Sequence, residues 1–250
     1  MTMRAMMLAL CCWILPVQMA SSATVMLLST GAVEPGIRIA AERFQRASGH
    51  EIRMTFQTAP EVKRRLESRE VWDLAIAPPS TIDEQTRSGW LARGAVTLGR
   101  VGVGIAVRQG APLPDIATTD SLKRAILEAD TLIASRGSTG QYAESLIRKL
   151  GLFEQVEARL VRTDRGAEAM QRLASGKGRE LAFGALTEIA SARNEGVVLV
   201  GRLPLELQNY TTYVIAQLTQ APNTAAAAEF LRYLGTPASQ ADFRAQGIEE

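Results

Sequence analysis

What most narrows the fold of this chain is an alternation: short, continuously apolar runs take turns with stretches of helical period. Val25-Met26-Leu27-Leu28 is one such run. Beyond it Ile37, Ala40, Ala41 and Phe44 recur at i, i+3, i+4 and i+7, the stripe of one helix face. Pro35 and Gly36 stand at the start of that helix, where proline is tolerated, and Ser48-Gly49 ends it. Residues 52–56 form the second strand. Thr58-Ala59-Pro60-Glu61 then opens a helix, with Thr58 able to cap, Pro60 suited to the first turn and Glu61 to the positive helix end. Residues 74–77 form a third run, stopped by Pro78-Pro79. Strands apolar on both faces and separated by helices predict a mainly parallel sheet covered on both sides. Ligands of such sheets sit at the carboxyl ends of strands, in the loops that enter helices, which selects the loops after Leu28, after Phe56 and after Ala77.

The pattern then repeats. A long strand over 101–107 is followed by a loop over 108–120 and a second α/β cycle. That cycle has helices over 121–129 and 142–150, a helix opened by Asp164-Arg165-Gly166, and strands over 132–134, 181–183 and 197–200. A strand over 213–218 and two helices, 222–234 and 237–246, finish the chain. Crossovers near 101–107 and 210–218 predict a hinged pair of lobes. Lobe 1 takes 24–104 plus 209–250, and lobe 2 takes 105–208. The 250 residues are enough for two lobes of ~100–150 residues, each with its own core.

The N-terminus reads differently. Arg4 is the only charge before a greasy run over 5–17, followed by Ala20-Ser21-Ser22-Ala23. A positive start, a short apolar stretch and small residues predict a secretory signal peptide over 1–23, cut near Ala23; an uncleaved anchor is the alternative. Both cysteines, Cys11 and Cys12, fall in this segment, so the mature chain is expected to hold no disulfide and no thiolate metal site. Net charge is only +2, with no basic block interleaved with aromatics, which argues against nucleic acid as a partner.

Catalytic equipment is sparse. The single histidine, His50, lies in a helix-to-strand turn and is expected at the surface. No Gly-x-Ser-x-Gly elbow exists, and Ser175-Gly176-Lys177-Gly178 lacks the upstream glycine of a phosphate loop. Gly99, Gly102 and Gly104 lie before and inside a strand, where they make no dinucleotide fingerprint. Neither a metal nor a cofactor is expected, and binding is favoured over reaction.

Three loops share one design. Ser29-Thr30-Gly31, Thr58-Ala59 and Ser138-Thr139-Gly140 each place small hydroxyl residues at a strand-to-helix junction. The first turn of a helix has free N–H groups and a partial positive charge, and small side chains let the backbone come close. Several such starts converging would hold an anion. Arg165 and Arg136 stand beside these loops, and Arg165 is taken as a candidate ligand for a carboxylate. Tyr142, one turn into its helix, is expected to face the cleft, while Trp72 and Trp90 read as packing residues.

The ordered set of short motifs resembles periplasmic solute-binding proteins of ABC importers, the molybdate-binding type in particular. Phe44-Gln45-Arg46-Ala47-Ser48-Gly49, Asp73-Leu74-Ala75-Ile76, Thr139-Gly140-Gln141-Tyr142-Ala143, Lys149-Leu150-Gly151 and Arg165-Gly166-Ala167 carry the likeness. It implies a two-lobed α/β periplasmic binding protein fold of type II-like topology. It also implies a periplasmic monomer that passes a small anionic solute to an ABC permease in the inner membrane. The chain departs from the molybdate pattern where it matters. The family's two cleft serines fall on Ala32 and Ala59, and its cleft tyrosine falls near Ala185. Another small anion, such as an organic carboxylate, is therefore as open as molybdate. A ligand-sensing module for a membrane signalling partner and a secreted enzyme on the same scaffold are the alternative readings.

Overall fold

The computed structural model describes residues 22–250. Residues 1–21 of the expected leader, with the greasy run and both cysteines, lie outside the described residues. The chain runs β1 (Thr24–Thr30), α1 (Glu34–Ser48), β2 (Glu51–Gln57), α2 (Ala59–Glu67), β3 (Leu74–Ala77), α3 (Pro79–Arg87) and β4 (Val96–Arg108). It continues through α4 (Thr119–Glu128), β5 (Thr131–Ser135), α5 (Ser138–Lys149), α6 (Phe153–Val156), β6 (Leu160–Thr163) and α7 (Gly166–Ala174). β7 (Glu180–Ala185), α8 (Leu186–Ser191), β8 (Val197–Arg202), β9 (Tyr210–Gln217), α9 (Thr224–Leu234) and α10 (Pro237–Ala245) complete it.

The strands join in the order β2-β1-β3-β9-β4-β7-β5-β6, with β8 on β4. At one end β1 lies parallel between β2 and β3; at the other β5 lies parallel between β6 and β7. The two parallel triplets are related by the same order, 2-1-3 and 6-5-7, and the antiparallel strands β9 and β4 separate them. β4 belongs to both halves: Val96 to Gly102 pairs with β9, and Val103 to Ala106 with β7. A strand shared by two sheets is the natural hinge of a two-lobed α/β clamp, and this is the fold the alternation of runs implied.

Each lobe covers both faces of its sheet, which is why central strands such as β1 and β3 read as apolar runs, while the edge strands β2 and β6 are only partly buried. In the first lobe Val25, Leu27, Ile37, Phe44 and Phe230 pack on one face, and Val62, Leu66, Trp72 and Trp90 on the other. The second lobe does the same with Leu122, Ile126, Leu146 and Phe183 against Met170, Leu173 and Ile189. The C-terminal helices close the first lobe. Buried Asp73 accepts hydrogen bonds from the N–H of Met26 (2.8 Å) and of Asn223 (2.6 Å), tying β1 and the start of α9 to β3.

The structure adds to the sequence reading at two places and corrects it at one. Pro78-Pro79 does not merely stop a strand; Pro79 begins α3, since a proline in the first helical turn loses only an N–H that has no partner there anyway. The strand over 160–163 and helix α8 follow their neighbours too closely for their periods to stand out. His50 is not a surface residue: its side chain is about 10% exposed, accepts from the Ala23 N–H at 3.2 Å and faces Glu229 at 3.4 Å.

Candidate ligand-binding cleft

Because parallel strands end on the same side, the exits of both triplets face one another across the hinge. They line a cleft of about 360 Å³. From the first lobe, β1 delivers Thr30, Gly31 and Ala32, and β2 delivers Phe56, Gln57, Thr58 and Ala59. From the second, β5 delivers Ser135, Gly137, Ser138 and Thr139, and the exit of β6 delivers Arg165, Gly166 and Ala167. Four helix beginnings therefore point into one space, two from each lobe. The gap is narrow: a Cβ on Gly137 would stand 3.4 Å from Cγ2 of Thr58 on the opposite wall.

The Thr58 hydroxyl is not used up as a helix cap. Neither Thr58, Gly137 nor Arg165, the residues before α2, α5 and α7, makes a side-chain capping bond. Thr30 is 2% exposed, and its Oγ1 has no hydrogen-bond partner among the described residues. A buried hydroxyl left unpaired costs about 1–3 kcal/mol, so Thr30 marks a place where a ligand oxygen would complete the structure.

Of the residues selected from sequence, Thr30, Gly31, Thr58, Ala59, Ser138, Thr139 and Arg165 meet in this cleft. Ser29, Gly140 and Tyr142 are not among its lining residues. Ser29 is fully buried one residue earlier, and its hydroxyl donates to the Thr30 carbonyl at 3.1 Å. Gly140 is pressed against the end of β5, where a Cβ would overlap the Ser135 carbonyl. Tyr142 turns into the core of its own lobe and donates from its hydroxyl to the Leu207 carbonyl at 2.7 Å. Arg136 pairs with Asp164 at 3.6 Å in solvent.

The cleft also contains residues that the sequence did not single out. Arg38, one turn into α1, reaches it while paired with Glu34 at 2.6 Å and stacked 4.8 Å from the Phe56 ring centroid. Tyr213 rises into it from β9, 2% exposed, and burial pushes its phenol up to about 12. A tyrosine thus faces the cleft from a different strand than the one the family likeness pointed to. Glu188 comes from α8, the exit of β7. Burial, with some help from the nearby Glu34 carboxylate, raises Glu188 to about 7 against the pull of the Ala185 backbone. Its neighbour Thr187 donates across the lobe boundary to the Ala32 carbonyl at 2.6 Å. The rule that selected the other loops also applied to the exit after Phe183; only the brevity of α8 hid it. Which face of β9 meets the cleft was not readable from its apolar run.

Two α/β lobes, a shared hinge strand and facing helix starts around one gap define a periplasmic-binding-protein clamp. The chain belongs to the bacterial extracellular solute-binding protein family, whose pattern matches residues 25–249. In sequence it is similar to an aconitate isomerase of Pseudomonas sp., 27% identical over 224 residues, covering 85% of this chain and 82% of that one. In fold it is similar to the periplasmic molybdate-binding protein of Azotobacter vinelandii, with a TM-score of 0.74, 16% identity and coverage of 90% and 99% of the two chains. The sulfate-binding protein SubI of Mycobacterium tuberculosis gives a TM-score of 0.73 at 16% identity, covering 90% of this chain and 86% of SubI. No helix among the described residues is long and apolar enough to cross a membrane.

Proposed function

We propose that this chain captures a small organic acid carrying two or three carboxylates in the periplasm and presents it to an inner-membrane ABC permease, acting as a monomer. The observation that carries this reading is the convergence of four helix beginnings on a space lined by Arg38, Arg165 and the unpartnered Thr30 hydroxyl. Helix starts supply N–H donors and positive potential, and guanidinium groups match carboxylates. The cleft, about 360 Å³ in this structure, lies in the range of small-molecule pockets. Ala32 and Ala59, standing where molybdate binders offer serine, point to an organic solute. So does the sequence relative named for aconitate, a tricarboxylate, whereas the molybdate and sulfate binders are likenesses of fold.

A second reading, turnover of the captured acid, is favoured by one observation: an acid–base group, Glu188, lines the cleft. Thermal melting of the protein with molybdate, sulfate, phosphate, citrate, malate and trans-aconitate tests the ligand class. A ligand at 100 times its Kd stabilises the folded state by ~2.7 kcal/mol. Di- and tricarboxylates should raise the melting temperature and inorganic oxyanions should not. A shift confined to molybdate or sulfate, or seen only with neutral sugars, overturns the reading.

A further inference from the structure

Glu188 is the wrong charge for a site that only holds anions. An ionised carboxylate beside a bound carboxylate repels it, so at this wall Glu188 helps to hold an anion only in its protonated form, while its ionised form accepts from the Ala185 N–H at the start of α8. Yet both lobes make room for it. A Cβ on Gly31 would stand 3.2 Å from Glu188 Oε1, and a Cβ on Gly166 would overlap the carboxylate. The group is thus wedged between two helix entries on opposite walls, each a glycine. Thr187, bonded to Ala32 across the boundary, fastens α8 in that position.

We propose that this cleft also carries out a reaction: Glu188 is the acid–base group that shifts the double bond of a bound unsaturated di- or tricarboxylate. The proposal rests on the carboxylate reading of the cleft. The carboxylate of Glu188 removes a proton from a saturated carbon next to the alkene. The C–H pair becomes the new C=C bond, and the old alkene pair moves to the far carbon, its charge spreading onto the carboxylate conjugated with it. Glu188, now the carboxylic acid, returns the proton to that far carbon. One C–H bond breaks and one forms, the double bond moves by one carbon, and no oxidant, reductant or metal takes part.

The surroundings suit both halves of this cycle. A group titrating at about 7 serves as base and as acid near neutral pH, which is where acid–base catalysis is most efficient. Developing charge on the substrate carboxylate falls on the helix starts and free hydroxyls that bound it, donors already oriented before reaction. The other titratable groups facing the cleft have their own ties or position: Glu34 pairs with Arg38, Arg165 with Glu168 at 3.2 Å, and Tyr213 stays protonated. Glu195 lines the cleft further along the chain from α8.

The test uses the whole protein, trans-aconitate and D2O, with calorimetry for binding and proton NMR for exchange. Wild type should bind trans-aconitate, incorporate deuterium at its methylene and vinyl carbons and form cis-aconitate. Glu188→Gln, made and purified identically, should bind trans-aconitate at least as tightly as wild type and lose about 100-fold or more of the exchange rate. Glu188→Asp, which keeps the carboxylate but sets it back by one methylene, should retain part of the rate. If wild type binds trans-aconitate and exchanges no proton, or if Glu188→Gln exchanges as fast as wild type, the acid–base role is wrong while the binding reading stands. If no di- or tricarboxylate binds, both readings fall.

Discussion

The two lobes repeat one plan and break it at a single place. Each has three parallel strands, and the first two exits of each triplet, β1 and β2 or β5 and β6, feed the cleft with small residues and helix starts. The third exits differ. After β3 the chain turns through Pro78-Pro79 into α3, which contributes nothing to the cleft lining among the described residues. After β7 it turns into α8, which delivers Glu188 to the cleft and bonds Thr187 to the opposite lobe. Repetition of the plan accounts for a clamp around a solute. The departure from it accounts for a group that could do more than hold one.

Blocking a shared exit should have the largest effect. Thr139→Trp fills the space beside Ser138 and should weaken carboxylate binding about 1000-fold, ~4 kcal/mol, with an unchanged melting temperature in the absence of ligand. Calorimetry and melting together check this; retained affinity would remove the β5 exit from the site.

Next comes the unshared exit itself. Glu188 titrates near 7 in the fold, above the 4.5 of an unburied glutamate, so its ionisation works against the folded state. That penalty is absent below pH 4.5, grows as pH rises and is complete above 7. Glu188→Gln should therefore stabilise the unliganded protein at pH 8 by on the order of 3 kcal/mol and leave it unchanged near pH 4. Denaturant titrations at both pH values measure this, and a gain independent of pH would contradict the assignment.

Thr187→Val deletes the hydroxyl that bridges the lobes and leaves the Ala32 carbonyl unpaired when they close. A loss of about 1–2 kcal/mol, roughly tenfold in affinity, is expected, with little change in the unfolding of either lobe. The smallest effect belongs to the other third exit. Ser80→Lys, exposed at the start of α3, should change affinity and stability by less than ~0.5 kcal/mol. A large effect there would mean that the two lobes are functionally more alike than their cleft linings suggest.

Much of the molecule was legible before any coordinates. Alternating apolar runs and helical stripes define parallel α/β units because strand and helix periods are local properties of the chain. The junction loops at Thr30, Thr58 and Thr139 were legible because parallel strands must exit at one end. Direction of individual side chains was not. Tyr142 sits in a cleft loop's helix yet turns inward to Leu207, since a helix one turn from its start presents more than one face. Tyr213 reads as one residue of an apolar strand, and only the pairing of β9 between β3 and β4 places it under the gap.

What the amino-acid order by itself determined is the set of repeating units and the donors at their junctions, because both depend on residues within a few positions of each other. What only the tertiary structure decided is the meeting of Glu188 with Gly31 and Gly166. These residues lie far apart in the chain, and their chemistry exists only where two lobes bring three loop exits within contact of one another. A carboxylate in an unread six-residue helix carries no mark of that encounter; burial between the two lobes is what changes its acidity.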